Sequence, residues 1–158
     1  MPFEHLQDPE AIANWPRTLS RDCARTPMPW SDDAPNLGFS DAKPWLPIGE
    51  DHAALAVVRQ ERDPHALIHW TRDVLAMRKR HPALLTGDIR VVEASDAMLA
   101  IERHGGGETI LCVFNLSPEP QRWSPADPDA WEPVADSATQ GWHFDGYGAL
   151  IAKQMGRG

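Results

Sequence analysis

Three groupings of residue types in this 158-residue sequence have the chemistry to hold a ligand. His65 and His69 stand four apart, the spacing of two zinc ligands on one helix face, but no Glu lies between them to act as a base and no third ligand is evident. A solvated helix face is the better reading. Asp32, Asp33, Asn36 and Asp41 crowd oxygens as a calcium loop would, yet their spacing matches no EF-hand, and an acidic turn accounts for them. Gly105-Gly106-Gly107 lacks the Lys and the following helix of a phosphate loop and reads as a hairpin connection. No pair of acids is set apart by an apolar neighbourhood, so spacing assigns no acid/base partners. Cys23 sits in a polar loop and Cys112 in an apolar strand pattern. Both are expected to be free thiols, with no disulfide framework or zinc cluster.

The elements that must position such groups fall into three stretches. Residues 1–62 show scattered aromatics between Pro, Asp, Asn and Gly and no periodic segment, which is long for a structureless loop in a compact domain. Trp15, Trp30, Phe39 and Trp45 argue against disorder there, because such side chains want burial or a ligand. Asp63-Pro64 then combines a capping residue with a residue suited to a first helical turn, which predicts a helix over about 63–81. Its apolar face is Leu67, Trp70, Val74 and Met77, with Ile68 and Leu75 alongside. Lys79, Arg80 and His81 complement its C-terminal dipole, and Pro82 stops it. After Gly87 the period becomes strand-like, with runs at 89–93, 98–103 and 109–116, the last two joined by the glycine-rich connection. Weaker runs follow near 121–123, 131–134, 142–144 and 149–153.

Charge and composition exclude several classes of function. Lys and Arg number 15 against 23 Asp and Glu, a net −8 with no basic stripe, so neither nucleic acid nor an anionic membrane surface is an expected partner. Apolar stretches are too short for a membrane span. The N-terminus lacks the basic and apolar regions of a signal peptide, which for a complete gene product points to the cytoplasm. Fifteen Pro and seven Trp against one Tyr describe pinned loops with indole rings to pack or to stack on ligands.

One segment is far more specific than these patterns. Arg21-Asp22-Cys23-Ala24-Arg25-Thr26-Pro27-Met28-Pro29-Trp30, followed by Gly38-Phe39-Ser40 and Lys43-Pro44-Trp45-Leu46-Pro47, resembles the loop after the eighth barrel strand in bacterial α-glucosidases of the α-amylase superfamily. That group includes oligo-1,6-glucosidases, sucrose hydrolases and isomaltulose synthases. Asp63-Pro64, the helix ending Met77-Arg78-Lys79-Arg80-His81-Pro82-Ala83-Leu84, and the strands through Val113-Phe114-Asn115-Leu116 extend the likeness, which thins beyond Pro118. Cys23-Ala24 stands where Gly-Cys is expected, leaving Arg25 in register.

The resemblance implies an α+β fragment. Residues 1–86 would be the end of a (β/α)₈ barrel, with its last helix at about 63–81, and residues 87–158 a C-terminal antiparallel β-domain. Such a barrel takes roughly 250 residues and draws catalysis from several strand ends. By the same resemblance, the nucleophile, the acid/base and the third carboxylate lie before residue 1, so no catalytic residue is assigned here and the chain alone is expected to be inactive. Arg25 is the one substrate-binding candidate, reaching a terminal glucose with its guanidinium fork. The competing reading is an ion pair between Arg25 and Asp22 that anchors the loop. For Trp30, Trp45, Trp123, Trp131 and Trp142, packing outweighs sugar stacking. No metal and no cofactor is expected. The implied partner is an α-glucoside sugar in the parent enzyme, with a homo-oligomer through the helix face. The alternative is a non-catalytic β-domain that binds glycan or a partner protein.

Overall fold

The computed structural model describes residues 1–156, which form two compact units, the first Met1–Thr71 and the second from Arg72 onward. The first unit is built of short elements rather than one long loop. Helix α1 (Pro9–Asn14) starts on an Asp-Pro step, with the Asp8 side chain accepting the Glu10 N–H at 3.0 Å. Turns of 3₁₀ type follow at Ser20–Ala24 and Pro35–Gly38. Helix α2 (Val57–Arg62) has its first N–H groups met by loop carbonyls, Val57 N–H on Pro29 at 2.9 Å and Val58 N–H on Trp30 at 3.1 Å. Leu6, Ala11, Leu46 and Ala56 are buried.

The helix expected from 63 begins later, with α3 at Leu67–Arg80. Asp63 does cap, but it caps a turn: its carboxylate accepts the His65 N–H at 2.9 Å and its carbonyl the Ala66 N–H at 3.0 Å. In the second unit α3 is followed at once by α4 (Pro82–Thr86). The compact boundary falls inside α3 because its C-terminal half, through Met77 and Val74, packs on Ile110 and Cys112 of the sheet.

That sheet has six antiparallel strands: β1 (Asp88–Ala94), β2 (Met98–Gly105), β3 (Glu108–Asn115), β4 (Gln121–Arg122), β5 (Trp131–Gln140) and β6 (His143–Gln154). Their order is β1-β2-β3-β6-β4, with β5 also on β6. The weak runs at 142–144 and 149–153 are one strand, whose later half lies between β3 and β5. Alternation along β3 sends Leu111 and Val113 into a cluster with Met98, Ala100, Phe144 and Leu150, and Ile110 and Cys112 into another with Met77, Ala83 and Leu84. Both faces of β3 are therefore covered. The β2–β3 hairpin turns through Gly106 and Gly107, at φ +62° and +77°, the two positive values that a tight primed turn requires.

Candidate functional site

The segment Arg21–Trp30 is held by two buried carboxylates. Asp22, on the 3₁₀ turn Ser20–Ala24, is fully buried, and its Oδ2 accepts the backbone N–H groups of Gln7 at 2.7 Å and Asp8 at 2.9 Å. Its Oδ1 is buried with no partner. Asp8 has no exposed side-chain surface and accepts from Arg21 Nε at 2.7 Å. Arg21 beside it is the main cause holding the Asp8 carboxyl below the usual carboxylate range. The Arg25 guanidinium reaches the same carboxylate only at 3.8 Å, is 42% exposed, and makes no closer side-chain polar contact among the described residues.

The competing reading, a local pair between Arg25 and Asp22, is not what forms, and a longer-range contact stands in its place. Asp22 turns inward to backbone donors, and the carboxylate near Arg25 is Asp8, brought across by the Asp22 bonds to Gln7 and Asp8. The signal for Asp8 was present, since Asp8-Pro9 is the same capping step as Asp63-Pro64. Arg25 keeps most of its five N–H donors free, which is what a group serving a carboxylate and sugar hydroxyls together needs. Pro27 is buried, while Met28 and Trp30 are about half exposed. Trp30 is fixed through its backbone, its N–H on the Leu37 carbonyl at 2.9 Å, and Trp45 is 61% exposed. Cys23 and Thr26, on either side of Arg25, line a cavity of about 560 Å³ with His5, Leu19 and residues 47–52, and Arg25 is not in that lining.

The other groupings do not converge. Asp32 pairs with Arg59 at 2.7 Å, Asp33 bonds Ser31, and the Asn36 amide donates to the Ser40 and Ala42 carbonyls. The His69 ring meets the Gln60 carbonyl at 3.1 Å. Both cysteines are free; Cys112 is buried, and burial pushes its thiol up to about 11, which removes it as a nucleophile near neutral pH. No helix among the described residues is long and apolar enough to cross a membrane.

Residues 1–87 match a family profile described as "Alpha amylase, catalytic domain". A probable alpha-glucosidase of Rhizobium meliloti is 46% identical over 117 residues, which is 74% of this chain and 21% of that protein. An oligo-1,6-glucosidase of Parageobacillus thermoglucosidasius is 29% identical over 115 residues, 72% of this chain and 20% of that one. Among solved structures, an alpha-glucosyl transfer enzyme superposes with a TM-score of 0.83 at 37% identity, over 98% of this chain and 30% of that chain. An isomaltulose synthase of Klebsiella sp. LX3 gives 0.74 at 27%, over 86% of this chain and 26% of that one. The chain therefore spans about a fifth of the length of the curated relatives it matches. With its first 87 residues matched by the catalytic-domain profile and its loop, last barrel helix and antiparallel β-domain superposing on such enzymes, the chain belongs to the α-amylase family of glycoside hydrolases and corresponds to part of one.

Proposed function

We propose that this chain supplies one wall of the sugar pocket of a retaining α-glucosidase. Residues 1–86 are the end of the barrel and residues 87–158 its C-terminal β-domain. Arg25 is the substrate-binding residue, and its exposed guanidinium with only a 3.8 Å contact to Asp8 is the observation that carries this reading. The catalytic carboxylates belong to parts of the enzyme not contained in these 158 residues. The retaining mechanism needs two carboxyls roughly 5 to 5.5 Å apart, so the chain by itself is catalytically silent. Assay of the purified chain on p-nitrophenyl α-glucoside, maltose and sucrose should show no turnover. Turnover abolished by a substitution within these residues would overturn the reading. Placing residues 1–158 in frame behind the barrel of the Rhizobium meliloti relative should give an active hybrid, and Arg25→Lys should then raise its KM, because an ammonium cannot replace a guanidinium fork. On its own, the chain self-associates through the exposed apolar positions of α3.

A further inference from the structure

The β-domain keeps two indoles at its rim that its core does not fully enclose. Strand β4 is only two residues long and ends where the Trp123 N–H meets the Trp142 carbonyl at 3.3 Å. The two rings meet edge to face, centroids 6.2 Å apart and planes at 69°, each half-buried against the Met98, Leu111 and Phe144 cluster. With Arg122, Ser124, Pro128 and His143 they line a groove of about 380 Å³, within the usual size of small-ligand sites. Arg122 and His143 are exposed and stand opposite each other in register. Among the described residues neither side chain has a hydrogen-bond or ion-pair partner. The indole N–H groups also have none, and neither is among the buried atoms left unpartnered, so both keep some exposure to solvent.

Two indoles set nearly at right angles offer a face for a ring's C–H surface, and four unspent donor groups surround it. No carboxylate lines the groove. A ring with one apolar face and a perimeter of hydroxyls satisfies both features. A small anion would engage Arg122 but leave the indole faces unused. We propose that this groove binds a pyranose unit of a neutral α-glucoside, at a site made wholly from residues of the second unit. The choice of an α-glucoside rests on the proposed function above; the location of the site does not.

The test is a titration of the ¹⁵N-labelled 158-residue chain with maltose, following the indole N–H signals. Those of Trp123 and Trp142 should shift saturably, and Arg122→Ala should weaken binding by about two- to tenfold, the size of one lost hydrogen bond. Trp142→Ala should abolish it. Because that ring also packs on the core, the double variant Arg122→Ala/His143→Ala carries the test if Trp142→Ala fails to fold. No shift at tens of millimolar maltose would overturn the proposal, as would shifts indifferent to Arg122→Ala or tighter binding of glucose 6-phosphate than of glucose. Equal response to maltose and cellobiose would overturn the α-glucoside assignment. Sugar binding lost in Arg25→Ala, with Trp123 and Trp142 silent, would support the Arg25 reading and reject the groove.

Discussion

Glu108 shows how much one side chain can tie together. Its carboxylate, 9% exposed, faces His81 Nδ1 at 3.0 Å, Lys153 Nζ at 3.1 Å and the Ala83 N–H at 3.3 Å, so it joins the start of β3 to the start of α4 and to the end of β6. Burial pushes its carboxyl upward, but the bonds from His81, Lys153 and Ala83 outweigh that and hold it below its ordinary value of 4.5. A depressed carboxyl contributes stability that is complete above the unfolded value and is lost as pH falls through the folded one. Replacing Glu108 by Gln should therefore destabilise the chain near pH 7 by about 1.5–3 kcal/mol, the worth of hydrogen bonds to a charged group. The difference between wild type and variant should shrink as pH drops below 4.5 and vanish at the acid end. Thermal melts from pH 7 to pH 3 decide it, and a difference constant across that range would show that Glu108 acts without its charge.

Among the elements, the β2–β3 hairpin makes two steric demands that can be told apart. Gly106 and Gly107 both need positive φ, but a Cβ on Gly106 would meet Pro82 Cβ at 2.5 Å, whereas one on Gly107 would meet nothing within 4 Å. Gly107→Ala should thus carry only the backbone strain, about 1–3 kcal/mol, while Gly106→Ala should carry that strain and also push α4 from its place. For a chain of this length each kcal/mol lowers Tm by about 2–4 °C, so calorimetry of the two variants separates the contributions. Equal losses would mean that Pro82 gives way freely. The late start of α3 has a local cause. Asp63 commits its cap to the turn at His65, and the helix gains most by packing Val74 and Met77 on the sheet, not by extending toward solvent.

At the scale of the whole molecule, α3 is divided between use and exposure. Met77 is buried and Val74 half-buried, while Leu67, Trp70 and Leu75 are 69%, 50% and 52% exposed. At about 25 cal/mol per Å² of apolar surface, leaving those three in water forfeits several kcal/mol that an intermolecular contact recovers. Sedimentation velocity should show concentration-dependent association, weakened by Leu67→Glu/Leu75→Glu with the far-ultraviolet dichroism unchanged. Val74→Glu should instead unfold the second unit, since that side chain serves its core. A monomer at every concentration would reject association through α3.

What the sequence by itself determined is whatever depends on near neighbours. The glycine run had to be a tight turn, Pro82 had to stop α3, the alternating Val, Ile and Leu after Gly87 had to be strands, and Arg21–Trp30 carried the family likeness without help from any fold. Tertiary structure decided the rest, because those outcomes depend on chain segments far apart in sequence. Helix α2 has no strong periodicity of its own and forms where the Pro29 and Trp30 carbonyls wait for its N–H groups. Strand β6 reads as two weak runs because Asp145, Gly146, Tyr147 and Gly148 break its pattern. A Cβ at Gly146 would lie 2.2 Å from the Pro118 carbonyl oxygen, so its glycine answers a neighbour 28 residues earlier. The partner of Arg25 could not be read from spacing for the same reason. Asp22 is three residues away but is drawn inward by the backbone of Gln7 and Asp8, and that leaves Asp8, seventeen residues back, as the carboxylate that Arg25 meets.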